Sequence, residues 1–266
     1  MNSLLITAIT AALKAGKEIL SIYDDPASDF EIEQKADHSP LTLADRKSNQ
    51  IIMDYLNTTP YPVISEENKE VDFDIRRHWP VVWIVDPLDG TKEFIKRNGE
   101  FTVNIALVEE GVPTLGVIYI PVKQVLYYGT PTGGAYRIDN LAFTPEIRFE
   151  ELEKRAVALP EKRENPAYIV VASRSHTTPE TEAFIQQLRQ THEHVELTSI
   201  GSSIKICLVA EGKADIYPRF APTMEWDTAA GHAITKAAGK EVYQTNGKTP
   251  LRYNKENLLN PWFIVK

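Results

Sequence analysis

The chain has 266 residues, 42% hydrophobic and 25% charged, enough to bury a full core as one large domain or two closely packed ones. A net charge of −8 argues against nucleic acid as a partner, which needs a basic face, and a single cysteine rules out a disulfide scaffold and fits a reducing cytoplasm. A small anionic ligand stays open, because metals and local groups set the field inside a site.

Met1 to Leu20 carries Leu5, Ala8, Ile9, Ala12 and Leu13 at helical spacing, while Lys14, Lys17 and Glu18 interrupt the apolar run. The spacing predicts an amphipathic helix ending near Tyr23, not a secretory leader. No stretch reaches the ~20 apolar residues of a membrane span. Residues 31–40 are polar and irregular, then Thr42 to Leu56 returns to helical spacing and sets Asp45 in a first turn. An acid there also complements the helix dipole. Pro62 to Ile64 reads as a short strand running into Ser65, Glu66 and Glu67, and Asn68 to His78 as an exposed excursion.

The apolar run Val81–Val85 ends at Asp86, followed by Pro87, Leu88, Asp89, Gly90 and Thr91. This reads as a buried strand, a proline turn and a helix starting near Gly90–Thr91. Two carboxylates then leave one turn beside the N–H groups of a helix start. Oxygen ligands suit divalent cations and helix starts suit phosphate, so the stretch predicts a metal-bridged phosphate site. An isolated D-P-x-D serves as readily as a turn and a helix cap; here the motif is longer and other acidic signatures flank it.

Strands follow at Phe101–Glu109, Gly116–Ile120, Gln124–Tyr128 and Tyr136–Ile138, an antiparallel-leaning meander. Residues 139–166 show no period and read as a connection, with the boundary near residue 155. The expected division is an α+β domain over 1–155 carrying the acidic motifs and an α/β domain over 156–266 completing the site and binding the ligand. In the second half, strands are expected at Tyr168–Ala172, Val195–Ile200, Ala214–Tyr217, Glu241–Tyr243 and Trp262–Val265. Helices are expected from Thr178 to about Gln190, over Ser203–Glu211, and over Asp227–Ala238 with Gly239 past its end.

Asp227 opens a helix whose Ala229, Ala230 and Gly231 allow close packing against another element or a ligand. An N-cap aspartate is the simpler reading, and a fourth carboxylate closing a cleft the sharper one. Glu66, Asp86, Asp89 and Asp227 brought together would repel one another unless cations compensate. Their oxygen-only chemistry points to Mg²⁺, with Mn²⁺ a substitute, rather than zinc. His192-Glu193-His194 has no zinc-site spacing and reads as polar surface, and Cys207, in an apolar run, reads as a small buried hydrophobe. No G-x-S-x-G or catalytic Cys–His pattern is present.

Asp86-Pro87-Leu88-Asp89-Gly90-Thr91, the upstream Glu66-Glu67 and the downstream Trp226-Asp227-x-Ala229-Ala230-Gly231 together resemble the inositol monophosphatase family of Mg²⁺-dependent, lithium-sensitive phosphatases. The resemblance runs from Lys35 to Gly239 and implies a layered α-β-α-β-α sugar-phosphatase fold. Gly90-Thr91-Lys92-Glu93-Phe94, Ser39-Pro40-Leu41-Thr42-x-Ala44-Asp45 and the run Gly201 to Asp215 resemble the branch that removes the 3′-phosphate of adenosine 3′,5′-bisphosphate (PAP). The resemblance implies two or three Mg²⁺ ions held by Glu66, Asp86, Asp89, Asp227 and the Leu88 carbonyl. It implies that Gly90 and Thr91 hold the scissile phosphate and that Asp45 with Thr91 activates water. It also implies that Ser173, His176, Gly201, Ser202, Lys205 and Arg219 contact the nucleotide, beside Asp227. A cytoplasmic monomer or homodimer acting on a small nucleotide is the expectation, with an inositol-1-phosphatase or broad sugar phosphatase as the alternative and a non-catalytic phosphate sensor behind it.

Overall fold

The amphipathic N-terminal segment forms α1 (Ser3–Tyr23), which buries Leu5, Ala8, Ile9, Ala12 and Leu13 on one stripe. The computed structural model describes residues 3–34, 40–144, 148–164, 166–173 and 178–266. After α1 come the short strands β1 (Glu33–Gln34) and β2 (Pro40–Leu41), then α2 (Leu43–Leu56), β3 (Val63–Ser65), α3 (Phe73–Arg76) and β4 (Val81–Asp89). The chain continues through α4 (Thr91–Ile95), β5 (Thr102–Glu109), β6 (Val112–Ile120), β7 (Val125–Thr130), β8 (Gly134–Ile138), α5 (Phe149–Arg155) and β9 (Val157–Leu159). The remainder is β10 (Tyr168–Ser173), α6 (Pro179–Thr191), β11 (Val195–Ile200), α7 (Ile204–Glu211), β12 (Tyr217–Arg219), α8 (Glu225–Ala237), β13 (Val242–Gln244) and β14 (Phe263–Val265).

Strands β3 to β9 lie in sequence order in one seven-stranded sheet, parallel only between β3 and β4. Helices α1 and α2 cover one face and α8 the other. β5 shows how period 2 sorts the faces: Val103, Ile105 and Leu107 enter the core under α1 and α2, while Ala106 and Val108 enter the core under α7 and α8. Beyond α7 and α8 lie the parallel pair β10–β11 and the antiparallel set β12-β14-β13. α6 closes the stack, burying Ile185 in a small core with Val170, Ile216 and Phe220. The order is α-β-α-β-α, as the resemblance implied.

Small residues let α8 sit close to the large sheet. A methyl on Gly116 would meet the Ala230 carbonyl oxygen at 2.2 Å, and one on Gly129 the Ala237 Cβ at 3.0 Å. A methyl on Gly231, on the side toward α7, would meet Ile206 Cγ2 at 2.8 Å. The run Ala229-Ala230-Gly231 is therefore small because sheet and helix press on it.

Several elements differ from the sequence expectation. β4 continues past Asp86 to Asp89, with a register shift between them where Pro87, lacking an N–H, interrupts the ladder to β5. The excursion 68–78 contains α3, and Arg76 is only 1% exposed. Its guanidinium donates to the Val71 and Glu256 carbonyls at 3.1 and 2.7 Å and to Asn254 Oδ1 at 3.1 Å, pinning the excursion to residues 254–256. The segment 139–166 contains α5 and β9, too short to show a period. The strand expected at Ala214–Tyr217 forms at Tyr217–Arg219, preceded by a parallel bridge of Ile216 to Val170 of β10, where Asp215 Oδ2 also accepts from Ile169 N–H at 2.7 Å and Arg163 at 2.6 Å. Among the described residues no helix is long and apolar enough to cross a membrane.

Candidate active site

The strands β3 and β4 run parallel and end side by side, which sets Glu66 beside Asp86 and Asp89. Glu66 N–H donates to the Val85 carbonyl at 3.2 Å. Asp86 is buried on the α7–α8 face, and its Oδ1 accepts the Leu88 N–H at 3.0 Å, the tight turn that Pro87 enforces. Asp89 Oδ2 accepts from Ser203 N–H at 2.5 Å and from Asn104 Nδ2 at 3.5 Å. Asp227 is the third residue of α8 rather than its N-cap, which is Met224. Its Oδ2 accepts the Met224 N–H at 2.7 Å. One oxygen of each aspartate is thus tied to a main-chain N–H, and Asp86, Asp89 and Asp227 bring carboxylate oxygens within 4.8 Å of one another.

This crowding shows in the protonation of the acids. Burial and the charges of Glu66, Asp89 and Asp227 hold Asp86 well above the usual carboxylate range. Burial pushes Asp89 up to about 6 against the pull of Lys205. Asp227 is pushed up to about 8 by burial, then by Asp89 and Glu66. Glu66 belongs with the group: its charge also acts on Asp45. Three aspartates that resist ionisation together, with Glu66 beside them and no sulfur or imidazole among them, are a donor set for a hard cation.

Asp45 stands beside them. Thr42 caps α2, its hydroxyl and N–H both donating to Asp45 Oδ2, the N–H at 2.8 Å, in a capping box. The other oxygen, Oδ1, accepts the Thr91 hydroxyl at 3.0 Å. Thr91 Oγ1 also lies 3.3 Å from the Leu88 carbonyl oxygen. Burial raises the Asp45 pKa. Gly90, at φ 99, turns the chain into α4, and a side chain there would meet the Glu100 carbonyl at 3.0 Å and Ser202 Cβ at 3.3 Å.

Glu66, Asp89, Asp227 and Thr91 line a cleft of about 330 Å³ together with Gly201, Ser202, Lys205, Tyr217 and Arg219. Gly201 N–H donates to Glu100 Oε2 at 2.8 Å, locking the turn before α7 onto the loop before β5. Lys205, expected from sequence to touch ligand or solvent, is buried: Nζ donates to the Ser202 and Ile200 carbonyls at 2.6 and 3.3 Å above the Tyr217 ring. Burial lowers its pKa to about 8, with Asp89 opposing. Arg219 donates to the Pro222 carbonyl at 3.1 Å. Two buried polar atoms of this cleft, Ser202 Oγ and Arg219 Nε, have no hydrogen-bond partner among the described residues. Ser202 also holds φ 47, a conformation a serine adopts only when its surroundings impose it.

Ser173 ends β10, but its side chain lies outside what is described, as does His176 altogether. His192 stacks on Tyr168 and His194 is exposed, away from the acids. Cys207 is buried and burial pushes its thiol up, leaving it a packing residue. Sequence reasoning missed Thr42, Thr102, Asn104 and Ser203. The signals were a Thr three residues before Asp45 and a Thr–Asn pair at same-face positions of an apolar strand.

Comparison with known proteins agrees over the whole chain. The profile of the inositol monophosphatase family matches residues 1–262. The chain is 49% identical over 256 residues to the 3′(2′),5′-bisphosphate nucleotidase CysQ of Salmonella typhimurium, covering 96% of each. It is 48% identical over 257 residues to the protein of the same name from Escherichia coli K12, again 96% of each. The crystal structure of CysQ from Bacteroides thetaiotaomicron, a bacterial member of the inositol monophosphatase family, superposes with a TM-score of 0.92 at 60% identity, covering 99% of this chain and 97% of that one.

Proposed function

The chain belongs to the inositol monophosphatase family, and we propose that it is a divalent-metal-dependent phosphatase that cleaves the 3′-phosphate of PAP to give AMP and phosphate. One observation carries the reading: Asp86, Asp89 and Asp227 meet with their oxygens within 4.8 Å, beside the Asp45–Thr91 pair at 3.0 Å. These acids with Glu66 and the Leu88 carbonyl would hold the cations, Mg²⁺ by the chemistry of an all-oxygen set and Mn²⁺ as a substitute. A divalent ion there would lower the pKa of water and offset the charge growing on the leaving oxygen.

The chain's own groups do the rest. Thr91 Oγ gives its proton to Asp45 and offers a lone pair to water, so the attacking water loses its proton by way of Thr91 to Asp45. The water oxygen bonds to phosphorus in line with the 3′-oxygen, whose bond to phosphorus breaks and which takes a proton from solvent to leave as the 3′-hydroxyl of AMP. The N–H groups of Gly90 and Thr91 face the transferred phosphate. In the same cleft, Lys205, Arg219 Nε and Ser202 Oγ, the last two without a hydrogen-bond partner among the described residues, suit a second anionic group. These groups favour a nucleotide bisphosphate over an inositol ester, as does the likeness to proteins named for that substrate.

Phosphate release from PAP, its phosphosulfate analogue and inositol 1-phosphate, each with and without Mg²⁺ and Li⁺, tests the reading. Mg²⁺-dependent, Li⁺-inhibited release, fastest from the nucleotides, is expected. A large preference for the inositol ester would reject the substrate, and release indifferent to chelator would reject the chemistry.

A further inference from the structure

β5 is buried from Thr102 to Val108. Its period places Thr102 and Asn104 on the same face as Ala106 and Val108, which is otherwise apolar. Asn104 is 1% exposed and Thr102 0%. Burying an amide and a hydroxyl in such a layer is costly unless each is bonded. Both are bonded, to each other and to Ser203, and Asn104 reaches on to Asp89 of the acid cluster.

Across the β4–β5 ladder Asn104 stands opposite Asp86 and Thr102 opposite Asp89. Asn104 Oδ1 lies 3.0 Å from Thr102 Oγ1 and 2.8 Å from Ser203 Oγ, and the two hydroxyl oxygens are 2.8 Å apart. Hydroxyl protons therefore hold the amide oxygen, and the amide nitrogen is turned to Asp89 Oδ2 at 3.5 Å. The reverse orientation would set an amide oxygen against a carboxylate. Ser203 N–H meets the same Oδ2 at 2.5 Å. Both donors act on one oxygen of Asp89, which leaves the other for a cation.

We propose that Asn104, braced by Thr102 and Ser203, is a positioning residue: it aims Asp89 at the divalent ion and fixes the start of α7, which carries Lys205, against β5. The proposal rests on the metal-dependent reading above. Groups behind a ligand fix its orientation before the ion arrives, and losing one typically weakens binding.

Calorimetric Mg²⁺ binding to the substrate-free full chain tests this, with Asn104→Leu, Thr102→Val and Thr102→Ser beside the unaltered protein. Asn104→Leu keeps the volume and removes the amide, and its Mg²⁺ affinity is expected to fall about 10- to 100-fold. Thr102→Val, which loses a hydroxyl of the brace, is expected to shift in the same direction, and Thr102→Ser to restore the original affinity. A merely structural role would lower the melting temperatures of Asn104→Leu and Thr102→Val while their Mg²⁺ affinities stayed unchanged, and that result overturns the proposal. If Asn104→Leu does not fold, the two Thr102 variants decide by the same comparison. Absence of Mg²⁺ binding in the unaltered chain would overturn the metal-dependent reading and this proposal with it, whereas binding that ignores all three substitutions overturns the proposal alone.

Discussion

Asp45 divides its two oxygens between structure and chemistry. Oδ2 takes the donors of Thr42 and so belongs to the cap of α2, while Oδ1 holds the Thr91 hydroxyl at 3.0 Å. The cap keeps the carboxylate still, and burial raises its pKa toward the range in which it can take a proton. Asp45→Asn preserves the shape and an acceptor for Thr42 but removes the base. Turnover is expected to drop about 10²- to 10⁴-fold, with Mg²⁺ and nucleotide binding, both followed by calorimetry, retained; turnover at the original rate would end the assignment. Thr91→Ser should keep most of the activity and Thr91→Val lose it, because only the hydroxyl links water to Asp45. Helical spacing made Asp45 visible only as a first-turn acid. Its pairing with Thr91, 46 residues further on, was implied by the family resemblance and not by any local pattern, since only the fold joins the two.

At the scale of elements, the site is assembled by the N-terminal ends of α2, α4, α7 and α8 around the ends of β3 and β4. Asp227 reaches it because α8 lies hard against the sheet, and Gly116 of β6 is where that contact is tightest. A methyl there would meet the Ala230 carbonyl at 2.2 Å and Ala233 Cβ at 2.9 Å. Gly116→Ala is therefore expected to lift α8 and to cost about 1–3 kcal/mol in urea unfolding, with turnover falling as Asp227 moves. Unchanged stability and turnover would mean that α8 has slack the packing does not show. The small residues of α8 were legible in the sequence as a sign of close approach, but what they approach was not. A glycine in a strand looks the same whether it faces solvent, a bulge or a helix. Lys205 was likewise legible as a cation near the cleft and not as a buried one, because its burial comes from Tyr217 and the carbonyls of Ile200 and Ser202. α3 and β9 stayed invisible because elements this short carry too few residues to express a period. The acidic motifs were the most readable part, since proline and aspartate at fixed spacing already dictate a turn with two carboxylates.

For the whole molecule, a cluster of raised carboxylates makes stability depend on pH and on cations together. Burial pushes Asp89 up to about 6 and Asp227 up to about 8 in the folded chain, against an ordinary 3.8. With chelator present, the folded protein keeps protons that the unfolded chain has released. The stability this contributes is complete below the unfolded value and is lost as pH rises through the folded ones, so the melting temperature falls. His232 works the other way: burial lowers its pKa below 6.5, so its contribution grows with pH up to that point and is steady above it. Lys205, lowered to about 8, adds an opposing rise only at higher pH. Between about pH 6.5 and 8 the acids therefore dominate, with a slope of up to about 1.4 kcal/mol per pH unit for each proton retained. Mg²⁺ binds the ionised cluster, so it should raise the melting temperature more at pH 8 than at pH 6.5 and flatten the decline. Asp227→Asn should flatten the chelator curve without any metal, since it removes a group that burial pushes into this window. Thermal melts of both proteins across this range, with chelator and with Mg²⁺, read all three effects. A chelator curve that rises toward pH 8 would mean that the acids ionise freely and do not crowd one another, and the argument for a bound cation would lose its electrostatic basis.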